Sequence, residues 1–160
     1  MSTFNDEIEK TILEAQKNIP VDIISLCKDL GLRVFRVQNW TQAMSGMIRK
    51  DAEGETFSIY VNATHSNTRQ RFTIAHELAH WILHRELIGD GVLDDGLYRS
   101  GLPVQIEVEA NRFAADLLMP KSLVNREWQK QDNDIVSMAT LFDVSKAAMA
   151  IRLGVPLEAA

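Results

Sequence analysis

Two histidines and a glutamate lie within five consecutive residues near the middle of the chain, in the segment His76-Glu77-Leu78-Ala79-His80. On an α-helix, residues four apart share one face, so both imidazoles can reach a single ion. Imidazole nitrogen is a common ligand of Zn²⁺. Glu77 stands beside the first histidine, where its carboxylate can take a proton from a water bound to the ion. The segment therefore predicts a zinc site with a general base.

The residues around this segment predict a helix that lies inside the domain. Residues 69–84 carry apolar side chains on nearly every side of a helix, a pattern typical of a core helix. Histidine and glutamate are costly in such surroundings unless they have partners. Because a metal ion is the simplest partner, the burial favours a zinc site over a chance match on a solvated helix.

A catalytic zinc ion usually has three protein ligands and one open position, so a further ligand is expected from another element. The best source is a predicted helix over about Val104–Leu118, which contains Glu107, Glu109, Asn111 and Asp116. Glu107 and Asn111 share a face, so one could bind the metal while the other supports a histidine. Glu109 is expected to point elsewhere. The spacing alone leaves Glu107 open between a metal ligand and a solvated carboxylate.

The elements that must position these residues are short helices and a small sheet. Helices are predicted over about Phe4–Asn18 and from Val21 to near Gly31, and strands over Leu32–Val37, Met44–Lys50 and Thr56–Val61. The second and third strands are predicted to form a hairpin, and Asn67 or Thr68 to cap the histidine-bearing helix. The expected fold class is α+β, with a three-stranded sheet packed on helices. Met44–Arg49 is the expected edge for a substrate strand.

Other residues near the predicted site have simpler interpretations. The glycine-containing stretch of residues 86–103 is predicted to be a loop, longer than an ordinary connection. Tyr98 in this stretch could stabilise the oxyanion of a tetrahedral intermediate, although a loop without a catalytic role is the simpler interpretation. His84 follows His80 by one turn and could approach the site, but a capping or solvent-facing role is the favoured interpretation. His65 is expected to lie in a loop.

The composition excludes several classes of function. The chain has 17 basic and 22 acidic residues and a net charge of −5, which argues against direct binding to nucleic acid or anionic membranes. Cys27 is the only cysteine, so no internal disulfide can form, and a buried structural role is expected for it. No signal peptide or membrane-length apolar run is recognised, and the expected location is the cytoplasm.

The C-terminal residues 129–160 are predicted to form a small helical element after a metallopeptidase domain of residues 1–128. Two short helices, about Ile135–Leu141 and Ser145–Leu153, have the spacing of a helix-turn-helix. The second helix offers only Lys146 and Arg152 for phosphate contacts, and it is mostly alanine. Base reading needs long polar side chains on the exposed face, so a packing or partner-binding role is favoured.

Two blocks of sequence resemble the ImmA/IrrE family of metallopeptidases. They are Arg71-Phe-Thr-Ile-Ala-His-Glu-Leu-Ala-His80 and Glu107-Val-Glu-Ala-Asn-Arg-Phe-Ala-Ala-Asp-Leu-Leu-Met-Pro120, preceded by the strand Ile59-Tyr-Val-Asn62. The resemblance implies a zincin-like fold of the Glu-zincin kind, in which Glu107 is the third zinc ligand. It also implies that Asn111 supports one of the zinc ligands without binding the ion itself.

The resemblance further implies a substrate class. Members of this family typically cleave a helix-turn-helix transcriptional repressor, which relieves repression of stress genes or of a mobile genetic element. The expected function is therefore that of a zinc metallo-endopeptidase acting on a protein regulator. The alternative is a partner-binding component of a toxin–antitoxin or phage module with a structural zinc ion. An open coordination position would support the enzyme, and a fourth protein ligand would support the alternative.

Overall fold

The computed structural model describes residues 3–88, 92–95 and 103–156, and within them it contains seven α-helices, four strands and one 3₁₀ helix. The helices are α1 Thr3–Ala15, α2 Ile23–Asp29, α3 Asn67–Leu83, α4 Val104–Leu118, α5 Lys121–Lys130, α6 Ile135–Phe142 and α7 Lys146–Leu153. The strands are β1 Arg33–Val37, β2 Gly46–Lys50, β3 Phe57–Asn62 and β4 Val92–Asp95, and the 3₁₀ helix is Arg85–Ile88. The predicted α+β class is confirmed.

The strands form a single mixed sheet in the order β1-β3-β2-β4. β1 runs parallel to β3, and β2 is antiparallel to both β3 and β4. The predicted hairpin of β2 and β3 is confirmed, with Ile48 paired to Ile59 and both side chains fully buried. Both of these strands contact α3.

The sheet has one strand more than the three predicted. β4 lies in the stretch that was predicted to be a loop, and it is defined by its pairing with β2, in which Leu93 stands opposite Ile48. Pairing of this kind depends on the neighbouring strand more than on local propensity. Because β4 pairs with β2 on the side away from β3, the prediction that Met44–Arg49 is a sheet edge is wrong. The edges of the described sheet are β1 and β4.

Helix α3 lies between the sheet and α4 and contacts both. Its N-cap is Ser66, whose hydroxyl accepts a hydrogen bond from the backbone N–H of Arg69. The cap therefore precedes the predicted Asn67 by one residue. Every residue from Thr73 to Trp81 is buried, so the helix is the centre of the core, as its apolar pattern predicted.

The last helices share the core of the rest of the molecule. Met138, Phe142 and Met149 are fully buried and belong to the same hydrophobic cluster as Leu78 of α3. Ser145 is the N-cap of the final helix, and its hydroxyl accepts a hydrogen bond from the N–H of Ala148. Helix α5 was not predicted, and Val124 is its only fully buried residue. The boundary between residues 128 and 129 stays a prediction.

The side chain of Arg71 fixes the start of α3 to two other parts of the fold. Its guanidinium donates to the carbonyl oxygens of Val21, Phe142 and Asp143 at 2.8, 3.3 and 3.0 Å, and it pairs with the Asp143 carboxylate at 3.3 Å. Burial lowers the pKa of Arg71, and the nearby carboxylates of Asp143 and Asp22 oppose this shift. The contacts hold α3 against the start of α2 and the turn between α6 and α7.

Candidate metal centre

Helix α3 brings the imidazoles of His76 and His80 together inside the protein. The two residues are one turn apart, and their Nε2 atoms approach to 3.1 Å. His80 is fully buried and His76 is 4% exposed. The arrangement agrees with the spacing argument, because both ring nitrogens point to the same small volume.

Helix α4 adds the carboxylate of Glu107 to this pair. Glu107 Oε1 lies 3.0 Å from His76 Nε2, and Glu107 Oε2 lies 3.5 Å from His80 Nε2. The possible ligand atoms of the three residues all lie within 4.8 Å of one another. Among the described residues, this is the group of histidine, cysteine and acidic side chains whose geometry could hold a metal ion.

The spacing of these atoms fits a tetrahedral divalent metal ion. Metal–nitrogen bonds of about 2.0–2.1 Å at a tetrahedral angle separate two ligand atoms by about 3.3–3.4 Å. The observed separations of 3.1 Å between the two nitrogens and 3.0 Å between His76 and Glu107 are close to that value. Two imidazoles and one carboxylate are also a donor set that Zn²⁺ and similar ions accept.

Asn111 holds the ring of His76 from the side away from the cluster. Its Oδ1 atom lies 2.8 Å from His76 Nδ1. An amide oxygen can only accept, so Nδ1 carries the proton and donates. In a neutral imidazole the lone pair is then on Nε2, which is the atom that faces His80 and Glu107.

His84 and Glu109 make a corresponding contact behind His80. His80 Nδ1 lies 3.0 Å from His84 Nδ1, and His84 Nε2 lies 2.8 Å from Glu109 Oε1. His84 is 7% exposed, so the expected solvent-facing role is wrong, although its backbone does end α3. Hydrogen bonds from His84 and then Gln105 lower the pKa of Glu109. The i,i+4 spacing of His80 and His84 was the sequence signal for the contact between these two histidines.

Glu77 lies on α3 at a point where β2 packs closely against the helix. Its side chain is fully buried, and its neighbour across the interface is Gly46, the first residue of β2. A Cβ atom at Gly46 would lie 2.5 Å from Thr73 Cγ2, 2.9 Å from the Tyr60 carbonyl oxygen and 3.6 Å from Glu77 Oε2. Only glycine allows the strand to approach α3 this closely.

The remaining predicted residues lie elsewhere. Tyr98 falls outside the described residues. His65 does follow a strand, as expected for a loop residue, but it is buried, and its Nε2 donates to the carbonyl of Gln42 at 3.0 Å. Cys27 is fully buried, as predicted, and burial raises the pKa of its thiol to about 12.

The α+β fold thus carries a His-His-Glu cluster whose geometry could hold a metal ion. The sequence model of the Peptidase_M78 family, described as the IrrE N-terminal-like domain, matches residues 27–154. The chain therefore belongs to the Peptidase_M78 family, and the predicted resemblance to ImmA/IrrE proteins is confirmed.

Individual relatives agree with this assignment. The chain is similar to Metallopeptidase ImmA of Bacillus subtilis (strain 168), with 26% identity over 93 residues, which is 58% of this chain and 52% of that protein. A solved structure named Mycobacterium tuberculosis transcriptional regulator matches with a TM-score of 0.65 at 19% identity, over 97% of this chain and 48% of that one. This chain thus spans about half the length of each relative.

None of the helices within residues 3–88 and 103–156 is long and apolar enough to cross a membrane.

Proposed function

We propose that this chain is a zinc-dependent metallo-endopeptidase that cleaves a protein regulator, with a helix-turn-helix transcriptional repressor as the substrate class. The observation that carries the proposal is the convergence of His76, His80 and Glu107, with Glu77 on the same helix as the two histidines. The name of the Bacillus subtilis relative, Metallopeptidase ImmA, supports the activity. The name of the structural relative, a transcriptional regulator, is in keeping with a role in gene control.

The proposed zinc ligands are the Nε2 atoms of His76 and His80 and the carboxylate of Glu107. Zn²⁺ bound there would polarise the scissile carbonyl and make a bound water more acidic. Within the described part of the chain the cluster contains three ligand residues, which supports a site with an open position. It therefore favours an enzyme over the alternative of a partner-binding module with a structural zinc ion.

Glu77 is proposed as the general base. Its carboxylate would take a proton from the attacking water and later give that proton to the nitrogen of the departing amine. One residue after His76 corresponds to a turn of about 100° around α3, so Glu77 would stand beside the metal ligands without competing for their place. Asn111 would keep His76 in the tautomer that presents Nε2. Tyr98 stays a candidate for the oxyanion-stabilising group.

The proposed site is carried by α3 and α4, which lie within the predicted metallopeptidase domain of residues 1–128. The predicted C-terminal element of residues 129–160 contains α6 and α7. We propose a packing or partner-contacting role for it, because Phe142 and Met149 are buried in the common core and Arg152 is paired with Asp116. The last helix carries two basic residues, Lys146 and Arg152. One of the two is therefore engaged in an ion pair within the protein.

The proposal is tested by incubating the zinc-loaded protein with the purified repressor encoded beside its gene. We expect one discrete cut, located by mass spectrometry of the fragments. The variant Glu77→Gln should bind zinc normally and cleave about 10²- to 10⁴-fold more slowly. The matched control is Glu55→Gln, a change at an exposed residue between β2 and β3, which should cleave at the normal rate.

Three results would contradict separate parts of the proposal. Full cleavage by Glu77→Gln would exclude this residue as the base. Undiminished zinc content in Glu107→Ala would place the third ligand elsewhere. Failure of the zinc-loaded protein to cut the repressor, at concentrations where the two proteins bind each other, would exclude that substrate class.

A further inference from the structure

A chain of hydrogen bonds runs from the proposed metal ligand His80 to the surface of α4. His80 Nδ1 lies 3.0 Å from His84 Nδ1, His84 Nε2 lies 2.8 Å from Glu109 Oε1, and Gln105 Nε2 donates to Glu109 Oε2 at 3.2 Å. The side chains of His80 and His84 are 0% and 6% exposed, and that of Glu109 is 40% exposed. The chain therefore begins in the core and ends at solvent.

The direction of each hydrogen bond follows from the chemistry of its ends. A carboxylate accepts only, so His84 Nε2 carries a proton and donates it to Glu109. In the neutral ring, His84 Nδ1 then has a lone pair and must accept from His80. His80 Nδ1 is therefore the donor, and its lone pair is on Nε2, the atom that faces His76 and Glu107.

His84 itself is placed to orient His80 rather than to bind the ion. Its Nδ1 atom is engaged with the side of His80 that faces away from the cluster, and it is absent from the group of possible ligands among the described residues. The same relationship exists on the other histidine, where Asn111 accepts from His76 Nδ1. Both imidazoles are thus held at the nitrogen that does not face Glu107.

We propose that His84 and Glu109 are positioning residues, which fix the tautomer and ring orientation of His80 for metal binding. The inference rests on the proposed metal site. A histidine that donates its second N–H to an acceptor is a more basic ligand and is held in one orientation. Here the acceptor is a second histidine, and the negative charge of Glu109 favours a proton on His84 Nε2. Loss of such outer contacts weakens metal binding by roughly 10- to 100-fold.

The experiment measures Zn²⁺ affinity by competition with a chromophoric chelator, in the full chain and in variants of the two residues. Glu109→Leu removes the half-exposed end of the hydrogen-bond chain and leaves the core intact. His84→Leu removes the middle residue of the hydrogen-bond chain. Glu109→Gln retains an acceptor oxygen for His84. His65→Leu, at a buried histidine bonded to the Gln42 carbonyl, and Glu55→Leu, at an exposed turn, are the matched controls.

We expect His84→Leu and Glu109→Leu to weaken Zn²⁺ binding by about 10-fold or more, with Glu109→Gln close to the unaltered protein. The double variant should be no weaker than His84→Leu alone, because Glu109 acts through His84. A purely structural role would give additive losses instead. With Co²⁺ in place of Zn²⁺, the visible absorption bands of His84→Leu should shift, whereas those of His65→Leu should not.

The outcomes separate this inference from the proposed function. Zn²⁺ binding by the unaltered protein, together with equal binding by Glu109→Leu and the controls, would contradict the inference alone. Absence of Zn²⁺ binding by the unaltered protein would contradict the proposed function and the inference with it. If His84→Leu does not fold, the comparison of Glu109→Leu with Glu109→Gln decides the matter, because these changes lie at the surface.

Discussion

His76 and Asn111, which are 35 residues apart in the chain, are joined by a hydrogen bond of 2.8 Å between imidazole Nδ1 and amide Oδ1. The bond crosses from α3 to α4 at the end of the cluster formed by the two histidines and Glu107. It sets which nitrogen of His76 is available to a metal ion, and so it couples the packing of the two helices to the proposed chemistry.

Replacement of Asn111 should therefore act on metal binding. In Asn111→Leu the Nδ1–H of His76 has no acceptor at that position, and we expect Zn²⁺ affinity to fall about 10- to 100-fold, measured by chelator competition. Asn111→Asp keeps an oxygen acceptor and should bind nearly as tightly as the unaltered protein. Asn125→Leu, at an exposed position on α5, is the control. Equal affinities for Asn111→Leu and Asn125→Leu would contradict this role.

Gly46 should tolerate no side chain, because the β2 backbone lies against α3. In Gly46→Ala the new methyl group meets Thr73 Cγ2 at 2.5 Å and the Tyr60 carbonyl at 2.9 Å, so the strand or the helix must move. We expect the free energy of unfolding to fall by about 1–3 kcal/mol in urea denaturation. Adding Thr73→Ser removes the Cγ2 atom and should restore part of this loss. An unchanged stability of Gly46→Ala would show that the interface relaxes easily.

Arg71 should contribute to stability far more than its neighbour Arg69. Arg71→Met leaves three part-buried carbonyl oxygens without the guanidinium and breaks the pair with Asp143, and we expect a loss of about 2–4 kcal/mol by thermal or urea denaturation. Arg69 is exposed and makes one side-chain contact, with Ser45 at 3.3 Å, so Arg69→Met should cost under about 1 kcal/mol. Similar losses in the two variants would argue against this account.

The stability of the protein should fall at alkaline pH through Cys27. Burial raises the pKa of its thiol from 9.0 to about 12, so above pH 9 the unfolded chain loses a proton that the folded chain keeps. The stabilisation is complete below the unfolded pKa and is lost as the pH rises towards the folded pKa. Between pH 8 and about pH 10.5 this group should remove about 2 kcal/mol.

Urea denaturation of the unaltered protein and of Cys27→Ala at both pH values measures this term. The decrease in unfolding free energy should be larger for the unaltered protein by that amount, since all other titrating groups are shared. The same burial should keep the folded thiol unreactive toward a disulfide reagent at about pH 8. Rapid modification of the native protein would contradict the burial of Cys27.

The fold was predictable where the residue pattern is periodic and local. The bounds of α4 match the prediction of Val104–Leu118, and the hairpin of β2 and β3 follows from alternation around a turn. β4 could not be predicted, because it becomes a strand through pairing with β2. Helix α5 is mostly polar, and its single fully buried residue, Val124, gave too weak a periodic signal.

The candidate site was predictable where it depends on the spacing of residues along one helix. His76 and His80 required only the i,i+4 rule, and the resemblance to a known family selected Glu107. The contact of His84 with Glu109 could not be predicted, because it depends on where α4 lies against α3. Because Glu109 is two residues from Glu107, it was correctly predicted to face a different neighbour. The spacing did not identify His84 as that neighbour.

Four contacts to the histidines come from Glu107, Glu109 and Asn111, which lie within five residues of α4. One residue inserted between Glu107 and Asn111 would turn the second relative to the first by about 100°. Every contact on one side of the insertion would then be lost, whatever the inserted residue is. The site therefore depends on the number of residues within α3 and α4 as strictly as on the identity of the residues that form it.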